Sequence, residues 1–315
     1  MVPGDDRGVC PAGRKVGVKA TLDGGSETGV GHSLLAGTCV DPAAGRTTVA
    51  EWASMWPAGR VNLKLKTLAG YESLLRARIL PRWGDVPLSK VSHAQVVAWV
   101  AQMHAGGLSA SRTRQAYHLL SAMLDDAVSD GRLARNPAAK VDLPRLPTTE
   151  RRYLTHGQVA ELADGCGPYR TLVLTLAYLG LRWGEATALR VRRVDLLRGR
   201  VEIVEAVVDV NGAMNFGTPK SHESRFVSIP RFLRDDLAVQ VAGKAPDDLV
   251  FTSPGGLVLR VQNWRRRCFG QAAAEVGLDG LVPHELRHTA AGRRGAGCSC
   301  APSVPRGNRH VDTQK

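Results

Sequence analysis

Apolar residues recur at helical spacing from Thr47 onward, with Val49, Trp52 and Trp56 on one stripe. The stretch from Leu63 to Leu80 repeats that period and is expected to end at Pro81, whose ring cannot continue a regular helix. Ser92-His93-Ala94-Gln95 forms a capping-box pattern ahead of the apolar run Val96 to Val100, and Gly106-Gly107 stops that helix. Ser109 opens a fourth, with Tyr117, Leu119, Leu120, Met123, Leu124 and Val128 as its buried side and Gly131 as its stop. These helices predict an all-α domain over 46–143. Residues 1–45 are rich in Gly, Pro, Asp and Ser, have no sustained period, and are expected to form a poorly ordered arm.

The pattern changes after the proline-punctuated stretch Leu143-Pro-Arg-Leu-Pro-Thr-Thr149, which places a linker at 144–153. Thr155-His156-Gly157-Gln158 is another capping box. Tyr169 to Leu181 reads as a deeply buried helix ended by Gly180, and Gly184 to Leu189 as a short helical continuation. The period then shortens. Val201 to Val204, Val207-Val208 and Arg225 to Ile229 carry strand signals, with a turn at Asn211-Gly212, and predict one antiparallel sheet of about three strands. Two further helices are expected near Phe232–Val241 and Val261–Val276. The fold class is therefore mainly α with a small antiparallel β-sheet: an all-α domain, then a mixed α+β domain over 154–291. Beyond Gly292 the periodicity stops.

Charge narrows the partners. The chain of 315 residues carries a net charge of +13, of which the final 24 residues contribute only +4, so the folded part is itself basic. A basic globular chain suits an anionic polymer. An anionic membrane surface is the weaker fit: the longest apolar run, Leu172 to Leu181, is too short to span a bilayer. No basic-then-apolar leader follows Met1, and the six cysteines fit neither a disulfide framework nor a paired metal motif, so a reduced, cytoplasmic protein is expected.

Several titratable residues stand at element edges. Arg182 ends an apolar run and needs a partner; Glu185, three residues on, can close a helix junction with it. Lys220 lies in a turn between strands, where lysine is commonplace. His284 and Arg287, three apart, share one helical face, and a titrating imidazole beside a permanent cation suits an anionic oxygen that gains and loses a proton. Lys90, Arg112 and Arg114 lie near helix starts, where free N–H groups also point outward and could hold phosphates, and Arg265 and Arg266 sit in a run of three arginines; each is equally at home as solvated surface charge.

Taken in order, Gly-Leu-Arg-Trp-Gly-Glu at 180–185, Thr-Pro-Lys-Ser at 218–221 with Arg-Phe-Val-Ser-Ile-Pro at 225–230, and Pro-His-Glu-Leu-Arg-His-Thr-Ala at 283–290 resemble the tyrosine recombinases, the phage-integrase family. The resemblance covers residues 47–291 and implies a core-binding domain ahead of a catalytic domain, site-specific DNA recombination or integration on double-stranded DNA, assembly as a tetramer on that DNA, and no metal or other cofactor. It implies that Arg182 and Arg287 hold the non-bridging oxygens of the scissile phosphate. His284 would transfer a proton at the nucleophile, Lys220 would protonate the 5′-oxygen leaving group, and Glu185 would orient the arginines. His288 is a usual neighbour in the motif and is expected to pack.

The family's nucleophile is a tyrosine downstream of the second arginine. Here the five tyrosines are Tyr71, Tyr117, Tyr153, Tyr169 and Tyr178, all before Arg182. His310 stands 23 residues beyond Arg287, where the family places another active-site residue, but Pro302 and Pro305 break any helix leading to it. Cys298, Cys300 and His310 match no standard zinc spacing. The segment 292–315 is therefore expected to be an irregular, out-of-frame tail, tetramer assembly to be impaired, and the chain to bind DNA without cutting it unaided. A non-catalytic DNA-binding regulator and a decayed gene product stand as alternatives.

Overall fold

The computed structural model describes residues 44–60, 63–148, 152–219 and 223–295. The chain divides into two compact units, Met1–Thr148 and Thr149–Lys315.

In the first unit, helix α1 (Val49–Met55) starts from Thr48, whose hydroxyl accepts the Glu51 N–H while Glu51 accepts the Thr48 N–H in return. Trp52 donates its indole N–H to the Met123 carbonyl at 2.8 Å. That bond ties α1 to the long helix α5 (Ala110–Ser129). Helix α2 (Leu65–Leu74) does not stop at Pro81. It passes through a π turn at Leu75–Ile79 into α3 (Leu80–Trp83). In that turn the Leu80 N–H reaches back five residues, to the Leu75 carbonyl. The wider ring gives room for a proline that has no N–H and would otherwise crowd the preceding turn. Helix α4 (His93–Ala105) begins at the Ser92–Gln95 capping box. Trp83 and Trp99 meet edge-to-face at 5.9 Å within a core that also holds Leu120, Met123 and Leu124.

The second unit is built on α7 (Arg170–Leu179), nearly all of which is buried, with α6 (His156–Gly165) packed on it. Gly180 follows α7 in the left-handed region at φ 66°, which reverses the chain and starts α8 (Trp183–Thr187) almost at once. Two small sheets form instead of the single one expected. One has the order β1–β2–β5, with β1 at Val194–Asp195, β2 at Arg200–Ile203 and β5 at Arg225–Ser228. The other is the hairpin β3 (Ala206–Val210) and β4 (Ala213–Gly217). Its turn has φ 50° at Asn211 and 86° at Gly212, as a hairpin with an Asn-Gly loop requires. Strand β1 is two residues long and β4 is largely exposed with no β-branched residue, so neither carries a side-chain period to read. All pairings are antiparallel, with Val201 opposite Val227 and Ile203 opposite Arg225.

Helix α9 (Arg231–Val241) follows, then α10 (Val261–Trp264), a π turn at Arg265–Phe269 and α11 (Gly270–Glu275). The last helix, α12 (Pro283–Gly295), lies against α7. It buries Leu286, Thr289 and Ala290, and the Thr289 hydroxyl accepts the Leu154 N–H at 3.1 Å. The molecule is thus mainly helical with small antiparallel sheets.

Candidate active site

Arg182 stands immediately before α8, so the junction that ends α7 also fixes where its side chain starts. Its backbone N–H donates to Glu185 Oε2 at 2.9 Å and its Nη1 donates to Glu185 Oε1 at 2.8 Å. The Glu185 side chain is only 1% exposed. A buried carboxylate needs partners in every direction, and further ones come from distant elements. Arg225, on β5, donates Nη2 to Oε2 at 2.6 Å and Nη1 to Oε1 at 3.2 Å. Arg287, on α12, places Nη1 3.8 Å from Oε2 and donates to the Gly180 carbonyl at 2.7 Å. One carboxylate therefore gathers three guanidinium groups from three elements. Each arginine side chain keeps about a third of its surface exposed: 36% for Arg182, 32% for Arg225 and 30% for Arg287.

Burial acts to push the Glu185 carboxyl up. Hydrogen bonds from Arg225 and Arg182 outweigh that effect and hold it below the usual carboxylate range, so it is ionised at neutral pH. Three cations against one anion leave two positive charges at the group.

His284 sits in the first turn of α12, one helical turn before Arg287 and His288. Its ring meets that of His288 edge-on at 5.0 Å. Desolvation first, then the charges of His288, Arg287 and Arg182, push its pKa below the ordinary value. The imidazole is thus neutral near pH 7 and able to accept a proton. The helix start that presents it is anchored by Glu285, which accepts the Val282 N–H at 2.8 Å and pairs with Arg152 at 3.2 Å. Beside His284 lies a cleft walled by Leu181, Trp183, Val261 and Pro283, with Gln262 and Arg265 at its polar side.

Arg182, Glu185, Arg287, His284 and His288 are accordingly brought together. Lys220 lies outside the described residues, as do Cys298, Cys300 and His310. Arg265 lines the cleft and Arg266 is exposed on the same π turn. The remaining candidates belong to the first unit. Lys90 is exposed at the end of a 3₁₀ turn, Leu88–Lys90, whose Leu88 is buried. The Arg112 N–H was expected to face outward, but it donates to Ser109 Oγ at 3.3 Å, and its guanidinium donates to Gln115 and Ser73. Arg114 donates to the Pro144 carbonyl at 3.3 Å. Tyr169 and Tyr178 pack on the core of the second unit, and Tyr178 Oη lies 2.8 Å from His156 Nδ1.

Arg225 is the site residue that sequence reasoning missed. A signal for it exists: Arg225 falls two residues before the buried Val227, so the strand period turns a cation toward the interior. A charge in that position needs a buried partner.

Residues 152–293 match the phage integrase family. Among curated relatives, the chain is 30% identical over 268 residues to the integrase of Mycobacterium phage D29, an alignment covering 78% of this chain and 67% of the relative. It is 27% identical to the tyrosine recombinase XerC of Roseiflexus castenholzii over 243 residues, covering 72% of this chain and 74% of the relative. Among solved structures it superposes on the Tn1549 transposon integrase in complex with a circular intermediate DNA with a TM-score of 0.70 at 19% identity, covering 79% of this chain and 88% of that one. On a lambda integrase tetramer bound to a Holliday junction the TM-score is 0.60 at 17% identity, covering 91% of this chain and 87% of that one.

Proposed function

Because the chain belongs to the phage integrase family of tyrosine recombinases, we propose that it is a site-specific recombinase by descent that binds duplex DNA and clamps one phosphodiester between Arg182 and Arg287. The observation that carries this reading is the set of guanidinium groups fixed around buried Glu185, with a neutral imidazole at their side. Two cations held in place before the substrate arrives suit the charge that builds on a five-coordinate phosphate, and they need no reorganisation during the reaction. Removing either would cost on the order of 3 kcal/mol of barrier.

The remaining roles follow the chemistry. His284 accepts the proton of an attacking hydroxyl. Lys220, on the connection between β4 and β5, supplies a proton to the departing 5′-oxygen. Glu185 reacts with nothing and orients the cations. Nothing in this set needs a metal, because the guanidinium groups supply the charge a metal would. By analogy with the lambda integrase tetramer, the DNA complex would hold several copies of the chain.

An attacking tyrosine is the part these 315 residues do not supply, since no tyrosine follows Tyr178. We propose that these 315 residues by themselves occupy and clamp DNA without forming a 3′-phosphotyrosyl bond. This lack also favours a second reading, a DNA-binding protein that occludes recombination sites. One experiment addresses both. The purified chain is incubated with a nicked suicide duplex carrying a relative's recombination site, then run on native and denaturing gels. A salt-sensitive native shift with no adduct under denaturing conditions is expected. A covalent adduct would overturn the inactive reading, and absence of any shift would overturn DNA binding at that site.

A further inference from the structure

We propose that Arg225 is a positioning residue of the clamp, acting through Glu185 to keep Arg182 and Arg287 available to a phosphate. The inference rests on the phosphate-clamp reading above.

The geometry separates Arg225 from the other two arginines. Both of its terminal nitrogens are committed to the carboxylate, Nη2 to Oε2 at 2.6 Å and Nη1 to Oε1 at 3.2 Å. This fork-on-fork pairing fixes the plane of the carboxylate as well as its position. The Arg182 contacts cannot do so alone, because they arise three residues away in the same turn and move with it. Arg225 instead arrives from a strand whose register is set by the pairs Val201–Val227 and Ile203–Arg225, with Val227 buried. The carboxylate is thereby held from a second element.

Charge gives Arg225 a further task. Glu185 pairs with each of Arg182, Arg225 and Arg287. Without Arg225, the whole negative charge of Glu185 falls on Arg182 and on Arg287, whose Nη1 is already 3.8 Å away. A phosphate would then compete with an internal anion for the same two cations. With Arg225 present the negative charge of Glu185 is shared among three cations, so Arg182 and Arg287 carry less of it when an anion with one charge in its ground state and two in its transition state arrives.

The test is a titration of the full chain with inorganic phosphate, followed by the side-chain ¹⁵N–¹H signals of Arg182 and Arg287 and by the His284 ring. In the wild type those arginine signals move saturably. In Arg225→Gln the affinity falls roughly tenfold, and in Arg225→Lys, which keeps the charge but loses the fork, roughly threefold. In Arg225→Gln the His284 pKa also rises, because the freed carboxylate screens the two cations beside it. Loss of packing alone would not move that value. If wild-type Arg182 and Arg287 do not respond to phosphate, the clamp reading itself falls. If they respond and Arg225→Gln binds within twofold of the wild type, the clamp stands and the role of Arg225 is overturned. Should Arg225→Gln fail to fold, Arg225→Lys decides: wild-type affinity there is equally fatal.

Discussion

Glu185 and His284 both have pKa values that folding depresses, and their consequences for stability run the same way. The folded state holds the Glu185 carboxylate more tightly ionised than the unfolded chain does. Its contribution is complete above the unfolded value of about 4.3 and is lost as pH falls through the folded one. His284 binds a proton less readily folded than unfolded, so its contribution is complete above about 6.5 and erodes below that. Stability should therefore fall in two stages on acidification. His284→Gln should flatten the first and Glu185→Gln the second, as read by urea unfolding at stepped pH. Glu185→Gln should in addition cost about 2 kcal/mol at pH 7, the usual penalty for unpairing a buried charge being reduced by the exposure of the arginines. Equal pH slopes for wild type and His284→Gln between pH 7 and 5 would contradict the His284 assignment. At this scale the sequence is legible where partners are near in the chain. Arg182 and Glu185 are three apart and could be paired on spacing alone. Arg225 meets Glu185 across 40 residues, a contact that only the strand register creates.

Among the elements, helix starts are the most legible, because a capping box is a local bargain between two side chains and two N–H groups. Thr155–Gln158 and Ser92–Gln95 both form as their spacing predicts. The helix through Pro81 was not legible, since a π turn leaves no simple residue pattern and is selected by packing of Leu75 and Ile79 into the core. Nor was the tight seat of α8. A methyl group at Gly184 would lie 2.3 Å from the Val207 carbonyl oxygen of β3, so glycine is required there for close approach. Gly184→Ala should lower the stability of the second unit by about 2 kcal/mol and, by displacing α8, weaken phosphate binding at Arg182. Gly70, within α2, meets nothing within 4 Å, and Gly70→Ala should stabilise the first unit by about 0.5–1 kcal/mol. Calorimetry of both variants checks the pair. A Gly184→Ala protein as stable as the wild type would mean that β3 can yield.

Across the whole molecule, basic charge and buried surface are distributed differently along the chain. The net charge excluding the last 24 residues is still +9, so affinity for an anionic polymer belongs to the folded units. Apolar patterning does not persist in the same way. The family match runs to residue 293, and Leu286 and Ala290 of α12 are buried. From Ala291 to Lys315 the large aliphatic or aromatic residues are Val304 and Val311 alone. The family resemblance implies a nucleophilic tyrosine downstream of Arg287, and these 315 residues hold none there. We therefore expect the gene to encode a continuation in another reading frame. Nucleotide sequence beyond codon 291 should show, in one of the two alternative frames, an amphipathic period, a Gly-His pair and a tyrosine downstream of it. Restoring that frame should yield a chain that forms the covalent adduct on the suicide duplex, while the same chain with that tyrosine changed to phenylalanine should only shift it. If neither frame contains a tyrosine, the frameshift reading is wrong.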